Sequence, residues 1–208
     1  MEWSEEQLER LRKQFTFLLE IDREKEILRQ TPLADASRRE NDAEHAWHMA
    51  VMVLLLAEYS NEPIDLLRTI SMLLIHDLVE VYSGDTYAYD EKGKASQRER
   101  ELAAADRLYG MLPADQAEQM RALWDEFEER ATPEAKFART MDNLQPMMLN
   151  DASGGISWTE HGVALSQILR RNAQTGEGSE LLWQYAQETW LMPNVEKGTV
   201  RDDRGNEK

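Results

Sequence analysis

The sequence predicts a single all-α domain, and three observations carry that reading. Apolar residues recur at three- and four-residue spacing through most of the 208 positions, and Leu, Met, Ala, Glu, Gln and Arg are abundant. No run of alternating apolar and polar residues marks a strand. The length fits one domain, and a hydrophobic content of 41% is enough to line a core. No repeat, low-complexity tract or Pro/Gly-rich linker divides the chain. The domain is expected over residues 1–193, followed by a polar, disordered tail over 194–208.

Each element has its own local signal. Ser4 and Gln7 have the spacing of a capping pair, and Leu8, Leu11, Phe15, Leu18 and Leu19 follow helical spacing behind them. A short helix is expected from Asp22 to Arg29, then a polar loop over 31–41. Asn41 or Asp42 caps a helix running to Tyr59, and Asn61, Glu62 and Pro63 break the chain. The next helix spans Ile64 to Tyr82, with Leu67, Ile70, Leu74 and Leu78 as its buried stripe, and Ser83, Gly84 and Asp85 end it. Residues 86–94 read as an exposed loop. Helices follow near 95–110, 114–130 and 133–150, the last two with Pro113 and Pro133 in first-turn positions. Gly154 and Gly155 interrupt the pattern before a final helical region that reaches Trp190.

Charge excludes several functions. Asp and Glu outnumber Lys and Arg by 40 to 24, a net charge of −16. A nucleic-acid polymer demands a basic footprint, and no dense Lys/Arg face is visible. The same field repels anionic membranes and anionic substrates, so a phosphorylated ligand needs help from a local cation. The chain has no cysteine, which removes disulfides, thiolate nucleophiles and cysteine-held zinc. The start of the chain is acidic with no apolar secretory stretch, and the longest apolar run, Ala50 to Ala57, is far short of the roughly 20 residues of a membrane span. A cytoplasmic protein is expected.

The chemistry concentrates in a few polar residues set among apolar ones. His76 and Asp77 lie inside Met72-Leu73-Leu74-Ile75-His76-Asp77-Leu78-Val79-Glu80. A carboxylate there is costly to bury without a cation or a full set of hydrogen-bond partners. Glu80 follows at helical spacing from both. His45 opens the preceding helix, and Asp142 sits among apolar neighbours in Phe137-Ala138-Arg139-Thr140-Met141-Asp142. Two imidazoles and two carboxylates form a mixed nitrogen and oxygen set suited to manganese, cobalt, iron, nickel or zinc. Drawn from three helices, such a set leaves positions open, as catalytic sites do. Taken singly, a His-Asp pair or a helical aspartate is more often structural, and His45 with His48 is an alternative pair. The joint pattern is the signal.

The ordered set His45, His76-Asp77 and Asp142 resembles that of the HD-domain metal phosphohydrolases. The strings Glu40-Asn41-Asp42-Ala43-Glu44-His45 and Ile75-His76-Asp77-Leu78-Val79-Glu80, with Gly84-Asp85-Thr86 after them, are similar to the branch containing bacterial 5′-deoxynucleotidases and related small HD hydrolases. The likeness covers residues 30–175, with Gly154-Gly155 and Glu160-His161-Gly162 late in the chain. It implies an HD-type helical bundle in which His45, His76, Asp77 and Asp142 hold one divalent ion, Glu80 and Asp85 transfer protons, and two copies form a homodimer. The expected substrate is a small phosphomonoester, foremost a nucleoside 5′-monophosphate. One departure stands out: those deoxynucleotidases carry Arg-Trp before the Pro-Leu step, whereas Pro32-Leu33 here follows Gln30-Thr31, with Arg29 one place back as the candidate phosphate contact.

Other readings are weighed beside this one. A two-iron site asks for more histidines than His48 and His161 supply, and His161 beside Trp158 reads as a structural helix-start residue. Arg38, Arg39, Lys92, Lys94 and Arg98 read better as solvated surface than as site cations. Trp47, Trp124, Trp183 and Trp190 read as core or dimer packing, and Tyr87 and Tyr89 as candidates to stack on a base. The rival functions are a metal- and nucleotide-binding sensor without turnover, a hydrolase of nucleotide di- or triphosphates, and an acidic scaffold whose buried polar groups pair with one another.

Overall fold

The structure, a computed structural model, describes residues 3–85 and 96–204. Helix α1 (Glu5–Glu20) starts where the capping pair predicts: the Ser4 hydroxyl accepts the Gln7 N–H at 3.1 Å, and the Gln7 side chain accepts the Ser4 N–H at 2.9 Å. Its buried contact is Phe17, whereas Phe15, Leu18 and Leu19 are exposed, so most of the expected apolar stripe faces outward.

The stretch read as a helix and a loop differs from expectation. A 3₁₀ turn over Ile21–Glu26 leads into strand β1 (Leu28–Pro32), which pairs antiparallel with β2 (Arg39–Asn41), Leu28 opposite Asn41 and Pro32 opposite Arg39. Two such short strands carry almost no alternation of their own. Tertiary pairing selects them. The ribbon matters because it sets Arg29 over the site. Asn41 then caps α2 (Asp42–Leu56) through a reciprocal bond pair with Glu44.

Helix α3 (Leu66–Ile75) stops at His76, where a single helix through Tyr82 was expected. Residues 76–79 form tight turns before the short α4 (Glu80–Ser83). The carbonyls released at this break are satisfied: the Tyr109 hydroxyl donates to Ile75 O at 3.3 Å, and Trp124 Nε1–H donates to His76 O at 3.1 Å. The buried face is also rotated. Thr69, Met72, Leu73 and Ile75 are buried, while Leu67 and Leu74 are exposed. A helix apolar on nearly every side does not declare which face is inward.

Helices α5 (Gln97–Tyr109), α6 (Ala114–Glu129) and α7 (Pro133–Ala152) occupy the expected spans, with Pro113 as the N-cap of α6 and Pro133 at the start of α7. One core gathers Met49, Val53, Met72, Leu73, Phe137, Met141 and Leu144 from α2, α3 and α7. A second gathers Ile75, Leu78, Val79, Leu108, Tyr109 and Trp124 with Phe17. The turn at 76–79 lies where the two cores meet.

After Gly154 and Gly155, both at positive φ, come α8 (Ile156–Glu160), α9 (Leu165–Arg171), α10 (Glu180–Ala186), a π-turn over Gln187–Leu191 and α11 (Met192–Glu196). The expected polar tail folds back onto the domain as far as residue 204. Asn194 Nδ2 donates to Asp151 at 2.6 Å, Val200 is buried, and Arg201 exchanges backbone bonds with Val163 and Leu165. Composition cannot announce a polar segment held mainly by backbone pairing.

Candidate metal centre

His45 sits fully buried in the first turn of α2, against Gln145 of α7. Gln145 Nε2 donates to the Glu40 carboxylate at 2.8 Å, which turns its carbonyl oxygen toward the imidazole. That oxygen accepts the His45 Nδ1–H at 2.8 Å, so the ring presents the lone pair of Nε2 to Asp142 Oδ1, 3.2 Å away. His76 is anchored the same way. Its Nδ1–H donates to Leu73 O at 2.9 Å, and its Nε2 lies 3.0 Å from Asp77 Oδ2 and 3.7 Å from Asp142 Oδ1, without an acceptable hydrogen-bond partner.

These atoms test whether a cation fits. One ligand atom each from His45, His76 and Asp142 lies within 4.8 Å of the others, and all three residues are buried. Two imidazole lone pairs and a carboxylate aimed at each other repel unless something positive lies among them. Without an ion, a proton takes that place: against the pull of burial, Asp77 and Asp142 push His76 up to about 10. Burial, with the charge of Arg29, pushes His45 down to about 4, so it stays neutral as a ligand must. Against burial, protonated His76 and the charge of Arg139 hold Asp142 well below the usual carboxylate range. Both the donor set and its tautomers suit a divalent cation.

Asp77, the fourth expected ligand, stands beside this trio and outside its group of mutually close atoms. Its Oδ2 also accepts from Arg29 at 2.7 Å. Arg29 is nearly surrounded by acids, with Asp42 at 3.1 Å and Glu40 at 3.6 Å. The expected phosphate contact is therefore already committed to carboxylates. Burial pushes Glu24 to about 8 and Glu40 and Asp42 to about 7, and burial with Asp77 and Asp42 drives Glu80 far above its ordinary value. Asp85 is raised too, chiefly by burial. So many acids raised together mark a region short of positive charge.

Part of this set borders a cavity of about 490 Å³. His76, Asp77, Glu80, Asp85 and Asp142 line it, and Trp158, Pro146 and Met147 supply an apolar wall. Pro146 has no N–H to return to the Asp142 carbonyl four residues earlier, which loosens α7 beside the site. Among the described residues, nine buried side-chain atoms lack a hydrogen-bond partner. Six of them, on Arg29, His76, Glu80, Arg130, Arg139 and Asn150, belong to residues lining this cavity. Such atoms need an explanation, and a ligand supplies one.

Several residues fall elsewhere than expected. His161 ends α8 rather than starting a helix, and His48 bonds Gln145 and stacks on Trp47, apart from the trio. Arg38 pairs with Glu44 and Arg39 with Glu160, as surface residues do, but Arg98 lines the cavity. Trp124 is buried, whereas Trp47 is 64% exposed. Lys92, Lys94, Tyr87 and Tyr89, with the rest of the loop expected at 86–94, lie outside the described residues. Sequence reasoning missed Gln145, Arg130 and Arg171. Gln145 had a readable signal, a polar side chain one helical turn after Asp142 in an apolar run.

Comparisons with known proteins follow the same direction. A family model described as HD domain matches residues 21–183. The 5′-deoxynucleotidase HDDC2 of Danio rerio is 31% identical over 106 residues, covering 51% of this chain and 52% of that protein. Its namesake in Homo sapiens is 27% identical over 114 residues, covering 55% and 54%. The alignments thus span about half the length of the curated relatives. A crystal structure described as a predicted metal-dependent phosphohydrolase from Magnetospirillum magnetotacticum MS-1 superposes with a TM-score of 0.87 at 46% identity, over 92% of this chain and 96% of that one.

Proposed function

The chain belongs to the HD domain family, and from that premise we propose that it is a divalent-metal-dependent phosphohydrolase acting on small phosphomonoesters, foremost (deoxy)nucleoside 5′-monophosphates. The carrying observation is the convergence of His45 Nε2, His76 Nε2 and an Asp142 carboxylate oxygen within 4.8 Å, beside an acid-lined cavity large enough for a nucleotide. The naming of the HDDC2 relatives as 5′-deoxynucleotidases supports the choice of substrate class.

In this reading His45, His76 and Asp142 would hold one ion, with Asp77 as the fourth donor. When bound, a divalent cation supplies Lewis acidity to a phosphoryl oxygen and makes water a usable nucleophile near neutral pH. The protein supplies the rest. Glu80, whose buried Oε2 has no partner, would lose its own proton under the charge of a bound cation, and then orients the attacking water and takes its proton. Asp85, raised by burial, carries a proton to the departing alkoxide oxygen. The apolar wall of Trp158, Pro146 and Met147 packs against the substrate's organic part.

Homodimerisation and a cytoplasmic location belong to the same proposal. Trp47, Leu54, Leu55, Leu67 and Leu74 expose apolar surface on α2 and α3 that a second copy would cover. The lack of cysteine suits a reducing compartment. Among the described residues, no helix is long and apolar enough to cross a membrane.

The test is phosphate release from a panel of nucleoside monophosphates, diphosphates and non-nucleotide esters, with manganese, cobalt, iron, nickel or zinc supplied in turn. Metal-dependent turnover of monophosphates is expected. Bound metal with no turnover of any ester would leave the sensor reading in its place.

A further inference from the structure

Five arginines border the cavity: Arg29, Arg98, Arg130, Arg139 and Arg171. Three are matched to acids. Arg29 holds Asp77 at 2.7 Å, Arg139 holds Asp142 at 2.8 Å and Glu128 at 3.2 Å, and Arg98 reaches Glu128 at 3.3 Å. Among the described residues, no acid lies within ion-pair distance of Arg130 or Arg171. In a chain with 40 acidic residues against 24 basic ones, two guanidinium groups that border one cavity without an ion-pair partner among the described residues call for a reason.

Their placement narrows the reason. Arg130 ends α6 in the left-handed conformation, φ +56°, where an L side chain is strained and glycine is the ordinary choice. Its buried Nε has no partner, and its Nη1 donates to the Gln174 amide at 3.3 Å, which steadies the group without neutralising it. Arg171 occupies the last residue of α9. Both sit at helix C-termini, whose partial negative charge tolerates a cation while the cavity is free of anions. Burial and the neighbouring charges of Arg139 and Arg171 push the pKa of Arg130 down. On the acid side, the charges of Glu128 and Asp142 reach Arg130, and that of Arg171 reaches Asp85.

We propose that Arg130 and Arg171, which border the same cavity as His76 and Asp142, form an oxyanion clamp that holds the substrate's phosphoryl group. The clamp rests on the phosphohydrolase reading for its substrate, but its affinity for an oxyanion does not. It also answers an electrostatic problem, because the ionised Asp77 and Asp142 on the same cavity repel a phosphate dianion. A planar guanidinium forks two donors onto adjacent phosphoryl oxygens, which no lysine does. Arg130 and Arg171 therefore set specificity for a dianionic phosphoryl ester over a neutral or singly charged one.

Inorganic phosphate is the probe. Its binding is measured by calorimetry on the metal-free and the manganese-loaded protein, for the native chain and for R130Q, R171Q and R130K. Binding to the metal-free native protein is expected, weakened at least tenfold in R130Q and in R171Q and severalfold in R130K. Thermal melts check folding, and R130K keeps the charge if a glutamine variant fails to fold. Phosphate affinities within twofold of the native value in all variants, or no binding by the native metal-free protein, would overturn the clamp. Turnover is read separately. Arginine-dependent phosphate binding without hydrolysis of any ester keeps the clamp and removes the phosphohydrolase reading. Hydrolysis with an unchanged KM in R130Q and R171Q does the reverse.

Discussion

The carbonyl of Gln145 accepts the Nδ1–H of His45 at 2.8 Å, across 100 positions of sequence, and thereby decides which nitrogen of that ring faces Asp142. An apolar residue at 145 leaves the imidazole buried, free to rotate and free to take the other tautomer. Replacing the outer partner of a ligating histidine typically weakens metal binding about 10–100-fold. Q145L is expected to weaken manganese binding by that factor in a chelator competition assay. An unchanged affinity would mean that packing alone orients His45.

Asp142 is the carboxylate common to both histidines, at 3.2 and 3.7 Å. A ligand that binds only the folded state stabilises it by about 2.7 kcal/mol at 100 times its Kd. The native protein should gain about that much in urea titrations with saturating manganese, and D142A should gain nothing. Equal gains for both would place the ion elsewhere.

Glu80 lines the cavity, carries a buried oxygen without a partner, and is not needed among the three close donors. Removal of a general base lowers turnover about 10²–10⁴-fold. E80Q should lose kcat by that order while its manganese affinity changes little. A parallel loss of metal would make Glu80 a ligand instead.

Trp124 closes the break in the helix by donating to His76 O at 3.1 Å. W124F keeps most of the ring packing and deletes the donor, leaving a buried carbonyl unpaired. The expected loss is about 1–3 kcal/mol in urea denaturation. No loss would show that water reaches that carbonyl.

Stability of the metal-free protein should fall from pH 6.5 to 8. Burial raises Glu24 to about 8 and Glu40 and Asp42 to about 7, and the aspartates raise His76 to about 10 against burial. A raised group binds more protons folded than unfolded, so its stabilisation is complete below the unfolded pKa and fades as pH climbs through the folded one. His45, lowered to about 4 by burial, adds stability with rising pH only up to its ordinary 6.5, below this window. Denaturation midpoints of metal-free samples at pH 6.5 and 8 check the sign; a flat or rising midpoint would contradict it.

The helical class, the caps at Ser4 and Asn41, and the identity of the histidines and acids that meet are all legible in the residues alone. Capping is local chemistry, and a carboxylate among apolar residues is visible wherever it folds. Long-range packing decided that the helix breaks at His76, because Tyr109 and Trp124 arrive from other elements to satisfy the released carbonyls. It also decided that Leu67 and Leu74 face outward, that β1 and β2 pair, and that residues 194–204 fold back. Gln145, Arg130 and Arg171 gained their meaning in the same way. Their spacing along the chain is ordinary, and it is the chemistry of the groups across the cavity, an imidazole for one and an excess of carboxylates for the others, that gives each a role.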